Sequence, residues 1–162
     1  MSQTFEGNLD GRGLKMGIVA SRFNGFIVEH LVRGAREGLR KCGVAEGSVD
    51  IAHVPGSLEL AFAAKAMADS GKYDAILCIG CVIRGATNHF DLVCAETAKG
   101  VSQVSAATGV PAIFAVVTSD TIEQAIERSG AKAGNKGYDG ALAAVEMATL
   151  AKKISKKRRT RK

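Results

Sequence analysis

The residues best placed to do chemistry are Asn88, His89 and Asp91, which follow the apolar run "AILCIGCVI" (75–83) across Arg84-Gly85-Ala86-Thr87. A buried strand that turns through small residues into a helix start brings free backbone N–H groups and a positive helix end together. Asn88 is placed to cap that helix, with Asp91 in its first turn. "RGAT" is then a prospective anion site, and His89 beside it is a prospective general acid–base. The plainer reading is a surface histidine that contributes to a cap, and local features weigh the two evenly. His53 falls in a strand pattern and His30 in a helical one, so both are read as structural.

The elements that would position these groups alternate along the chain. "KMGIVAS", "VDIAHVP", "DAILCIGCVI" and "PAIFAVV" are short, apolar, largely β-branched and bounded by turn residues, as strands buried on both faces should be. Between Phe26 and Cys42, residues Ile27, Leu31, Ala35, Leu39 and Cys42 recur at helical spacing while charged residues fall elsewhere. Residues 57–70 and 89–107 repeat that pattern with small residues. Thr121-Ile122-Glu123-Gln124 is a capping-box pattern opening a short helix that Gly130 ends, and 138–155 reads as a final helix. This order predicts an α/β fold: a three-layer, doubly wound, flavodoxin-like parallel sheet of four core strands. Ligands of such folds bind beyond the carboxyl ends of the strands. Those ends read "SRFN", "HVPGSLE", "VIRGATNH" and "VTSD".

Composition narrows the function classes. The chain has 162 residues, 46% of them hydrophobic, which suits one domain with a full core. No apolar run approaches the ~18 residues of a membrane span, and "MSQTFEGNLDGRGLK" lacks a signal-peptide layout, so a cytoplasmic protein without membrane partners is expected. Cys42, Cys78, Cys81 and Cys94 fit a reducing compartment. Cys78 and Cys81 spell C-x-x-C, but inside a strand rather than at a helix start, and alternation sends them to opposite faces; buried structural thiols are expected. No second ligand pair stands at zinc spacing.

The tail, residues 152–162, holds eight Lys or Arg, which set against a net charge of +6 leaves the rest of the chain at −2. It could be an electrostatic arm for nucleic acid or a frayed, solubilising end, and it has no aromatic to stack on bases. No G-x-G-x-x-G follows the first strand, and in "GAKAGNKG" Asn135 separates Gly134 from Lys136, so neither common nucleotide loop is present. A flavodoxin-type flavin or nucleotide binder would need a hydroxyl-rich loop after the first strand, where "SRFNGF" offers a single Ser.

The strand-end sequences together resemble the lumazine synthase family of riboflavin biosynthesis. The matching pieces are "ASRFN" at 20–24, "VPGSLEL" at 54–60, "VIRGATNHFD" at 82–91 and "QAIERSGAKAGNKG" at 124–137, in order and in register. The resemblance implies condensation of 5-amino-6-ribitylaminouracil with 3,4-dihydroxy-2-butanone 4-phosphate to 6,7-dimethyl-8-ribityllumazine, without metal or organic cofactor. By family pattern, Phe23 stacks on the pyrimidine, and Ser57, Leu58 and Glu59 line the ribityl chain, Glu59 accepting hydroxyl hydrogen bonds. Val82 and Ile83 contact the heterocycle through their backbone. Gly85, Ala86, Thr87 and Arg128 take the phosphate, His89 shuttles protons, and Lys136 and Asp139 orient. Leu58 stands where relatives commonly carry an aromatic.

The family also implies a homo-oligomer, a pentameric ring or a sixty-subunit icosahedral shell, and an association with riboflavin synthase. Residues 1–13 are then an N-terminal arm that adds a strand to a neighbouring subunit's sheet, 14–151 the α/β domain, and 152–162 a basic tail without family counterpart. Phe114 and Arg128 would come from one subunit, and Phe23, Ser57 and His89 from the other. A shell-forming or packaging protein with weak or no synthase activity is the alternative on the same fold.

Overall fold

The computed structural model describes residues 2–159, with side chains to Ser155; residues 160–162 of the basic tail lie outside the described residues. Four strands, β1 (Met16–Ser21), β2 (Val49–Val54), β3 (Ala75–Ile83) and β4 (Ala112–Ser119), form one parallel sheet in the order β2-β1-β3-β4. The order reverses beside β1, the switch point at which a doubly wound sheet opens a crevice.

Alternation along the strands builds two cores. Met16, Ile18 and Ala20 of β1 and Leu77, Ile79 and Cys81 of β3 pack under α1 (Gly25–Lys41) and α5 (Lys136–Arg159). Val19, Ile76 and Cys78 point the other way, under α2 (Leu60–Asp69) and α3 (His89–Thr108). Each fully buried Leu, Ile or Val contributes about 1.5–3 kcal/mol relative to exposure. Both faces being covered explains why β1 and β3 read as continuous apolar runs, while β2, expected to be buried on both faces, is an edge strand with Asp50 and His53 exposed. The two cysteines of C-x-x-C accordingly lie in different cores. Burial pushes the Cys78 thiol up to about 12 and Cys81 to about 11.

The α1–α5 seam is tight because it is built on missing side chains: a Cβ on Gly137 would run into the carbonyl of Leu31, and one on Gly38 would stand 2.9 Å from Ala141. A small antiparallel hairpin, β5 (Ser129–Ala131) and β6 (Gly134–Asn135), leads into α5 and was not expected. The short helix α4 (Ile122–Glu127) starts on the expected capping box, with Thr121 Oγ1 accepting from Gln124 N at 3.2 Å. It stops three residues before Gly130, which lies instead in β5 at φ 113°.

Residues 57–70 are not one helix, since Ser57–Glu59 form a 3-10 turn before α2. The final helix starts two residues earlier than its apolar pattern and runs to Arg159, taking in part of the basic segment. Residues 2–10 form no strand within the single chain. The arm lies along α5, where Asn8 N donates to Thr149 Oγ1 at 2.8 Å and Lys153 Nζ to Glu6 O at 2.8 Å.

Candidate active site

The carboxyl ends of β1, β2 and β3 converge on one cleft. Arg22 N donates to Val54 O at 2.8 Å and Phe23 N to Pro55 O at 3.1 Å, so the loops leaving β1 and β2 are laced together. Asn24 then takes a left-handed conformation, φ 56°, which Asn tolerates better than most residues, and its Nδ2 donates to Cys81 O at 2.9 Å. That bond ties the β1 loop to β3 and leaves Phe23 on the rim, 71% exposed. Gly80 makes room beneath, because a Cβ there would stand 2.7 Å from Ser57 Oγ and 3.1 Å from Ser21 Oγ.

The second wall is the turn at 57–59. Ser57 is buried against the sheet and Leu58 is half exposed over the cleft. Glu59 reaches back so that its Oε2 accepts from Gly56 N at 2.9 Å, which fixes the carboxylate and occupies one of its two oxygens.

The third wall is the start of α3. Arg84 N donates to Ser119 O at 2.9 Å, and α3 begins at His89. Asn88 stands at the capping position but makes no side-chain cap, its backbone (φ −73°, ψ 4°) lying outside the extended region a capping side chain needs. Thr87 Oγ1 is the local acceptor instead, 3.4 Å from His89 N. Among the described residues nothing accepts from the amides of Gly85, Ala86 or Thr87. Three open N–H donors ahead of a helix of 20 residues make an anion-binding end.

These walls enclose about 460 Å³, a volume suited to a small organic ligand. Of the residues expected from sequence, Phe23, Ser57, Leu58, Glu59, Val82, Ile83, Gly85, Thr87 and His89 line it. Sequence reasoning missed Asn24, Pro55, Gly56, Cys81, Phe90 and Val93, which line it too. Asn24 had a signal, an asparagine closing a strand-end loop; Phe90 and Val93 had none beyond the helical period.

Ala86, Phe114, Arg128, Lys136 and Asp139 do not line the cleft of this chain. Phe114 is half-buried in β4, paired with Cys78, and packs against the core under α2 and α3. Arg128 closes α4 with an exposed side chain, and its carbonyl accepts from Lys136 N at 2.9 Å. Lys136 and Asp139 are exposed in the first turn of α5. The residues expected from sequence thus fall into separate places in one chain, most in an aromatic, hydroxyl and donor-rich cleft and Arg128, Lys136 and Asp139 at the α4–α5 junction.

Among the described residues no helix is long and apolar enough to cross a membrane, and no three His, Cys, Asp or Glu side chains are grouped so as to hold a metal ion. Residues 13–152 match the family described as 6,7-dimethyl-8-ribityllumazine synthase. With that match spanning most of the sequence and all the elements that shape the cleft, the chain belongs to the 6,7-dimethyl-8-ribityllumazine synthase family of riboflavin biosynthesis.

Proposed function

We propose that this chain condenses 5-amino-6-ribitylaminouracil with 3,4-dihydroxy-2-butanone 4-phosphate, releasing 6,7-dimethyl-8-ribityllumazine, phosphate and water. The observation that carries the reading is the meeting, in one cleft, of an exposed Phe23 ring, the buried Ser57 hydroxyl, the open amides of the Gly85–Thr87 loop and His89. A flat ring face suits the pyrimidine. Ser57 and the second oxygen of Glu59 suit a polyol, and the loop amides suit phosphate.

In this reading the amine attacks the ketone to give a carbinolamine and then, with loss of water, an imine. Abstraction of the proton beside the imine expels phosphate and leaves an enol, which tautomerises to a new ketone; the ribitylamino nitrogen condenses with that ketone and closes the ring with loss of a second water. Each stage moves a proton, and His89, exposed at the mouth of the cleft, can both take and give one. Holding the two reactants together supplies much of the acceleration.

The family implies small-molecule substrates and a homo-oligomer in general terms. Separation of Arg128 and Phe114 from the cleft of the same chain supports a site completed by a neighbouring copy, with the α4–α5 junction of one subunit facing the cleft of the next in a pentamer. Exposed apolar side chains at Phe62, Leu92, Ile122 and Ile126 suit that assembly. The N-terminal arm would then leave α5 to pair with the neighbour's sheet, and the protein would work in the cytoplasm.

The test is lumazine fluorescence from both substrates, with His89→Ala and Arg128→Ala beside the wild type. Expected are wild-type turnover well above the spontaneous condensation and a loss of about a hundredfold in kcat/KM for His89→Ala. For Arg128→Ala the loss should appear mainly in KM for the phosphate substrate. Wild-type turnover equal to background would defeat the proposal.

A further inference from the structure

Arg84 sits between the strand and the open amides, where its residue type suggests a phosphate ligand. Its side chain goes elsewhere. Ile83 and Gly85 on either side line the cleft and Arg84 does not. Its Nε donates to Asp120 Oδ1 at 2.8 Å, its Nη1 lies 3.3 and 3.4 Å from the two carboxylate oxygens of Asp91, and its guanidinium covers the Phe90 ring at 4.2 Å from the centroid.

We propose that Arg84 is a positioning residue of this site, a clamp that ties the end of β3 to the end of β4 and to the first turn of α3, so setting the spacing between the Gly85–Thr87 donors and His89. The inference rests on the synthase reading for its kinetic consequence only.

Three observations support it. The segment between Arg84 N and Asp91 N is lightly braced: the former bonds Ser119 O, the latter Asn88 O, His89 N reaches only Thr87 Oγ1 at 3.4 Å, and the amides of 85–87 bond nothing among the described residues. Arg84 makes three contacts at once, one with Asp120 beyond β4 and two with Phe90 and Asp91 of α3, which a planar fork can do and a lysine point charge cannot. The ring under the guanidinium, Phe90, is itself a wall of the cleft, so the clamp acts on the surface the ligand meets. The Arg84 side chain is 42% exposed, and exposed ion pairs add little to folding stability. The consequence should therefore appear in the reaction rather than in the melting temperature.

The experiment takes the full chain as Arg84→Gln, Arg84→Lys, Asp120→Ala and the double variant Arg84→Gln/Asp120→Ala. Steady-state kinetics vary each substrate in turn, and hydrogen exchange is followed over residues 85–89. With the loop loosened, KM for the phosphorylated butanone should rise about tenfold while KM for the pyrimidine stays within about twofold. Arg84→Lys should keep most of that defect, the double variant should be no worse than Arg84→Gln, and exchange over 85–89 should quicken with melting unchanged. The clamp is overturned by wild-type kinetics in Arg84→Gln, by full rescue in Arg84→Lys, which would reduce the effect to charge, or by equal rises in both KM values. If the wild type makes no lumazine, the synthase reading fails by itself and exchange decides: unchanged rates in Arg84→Gln overturn the clamp, faster rates support it.

Discussion

Two asparagines stand at the starts of two long helices, and they are used in opposite ways. Asn135, ahead of α5, has its whole amide engaged: Oδ1 accepts from Gly137 N at 2.9 Å and Tyr138 N at 3.1 Å, and Nδ2 donates to His30 O at 3.0 Å and Ser129 O at 3.1 Å. Asn88, ahead of α3, makes no side-chain cap, and the amides just before it are open. The first helix start is closed by the protein and joins α1, β5 and α5 at one point. The second is left for something else to close. A helix end without its own cap, beside a cleft and a histidine, is where a ligand can supply the missing acceptors.

The strongest attempt to break this contrast is Asn135→Ala. It removes the acceptor of the Gly137 and Tyr138 amides and a donor to the His30 and Ser129 carbonyls, four hydrogen bonds in a half-buried position, so thermal or urea unfolding at matched protein concentration should show a loss of about 3 kcal/mol. A loss under about 1 kcal/mol would mean that the closed start is not closed by this residue. Thr121→Ala, at the capping box of α4, should rank next at about 1 kcal/mol by the same measurement. Asn88→Ala should change stability by less than about 0.5 kcal/mol, because there is no cap to lose; a drop as large as that of Thr121→Ala would erase the distinction. The gentlest test leaves the covalent structure untouched: millimolar inorganic phosphate should shift the amide resonances of Gly85, Ala86 and Thr87 and leave those of Gly137 and Tyr138 in place.

The same three helix starts show what could be read in advance. The box at Thr121 was legible because its geometry needs only residues three apart in sequence, and it formed. The Asn88 cap was expected on residue type alone, yet the backbone there is set by how β3 hands over to α3, which no local pattern records. From sequence, Asn135 counts only as the residue that spoils a nucleotide-loop pattern; its importance lies in the carbonyl of His30, 105 positions away. The β5–β6 hairpin was missed for a related reason, since three and two residues are too short for any alternation to show.

Strands β1 and β3 were readable because burial on both faces leaves a strong signature, whereas β2, at the sheet edge, has Asp50 and His53 exposed and only Val54 buried. Family resemblance supplied most of the cleft. It did not supply Asn24, whose left-handed backbone is a property of the loop's closure onto β3.

The C-x-x-C of β3 has a use that its lack of redox chemistry makes possible. Cys78 faces the α2–α3 layer and Cys81 the α1–α5 layer, both buried and both protonated at neutral pH. An alkylating reagent reaches Cys78 only when the α2–α3 layer lifts, whereas Cys81 also borders the cleft and opens to it there. The two thiols are therefore a pair of clocks on one strand. Equal labelling rates would mean that cleft and α2–α3 layer open in one cooperative event, and faster labelling of Cys81 would mean that the cleft side opens while the layer over Cys78 stays closed.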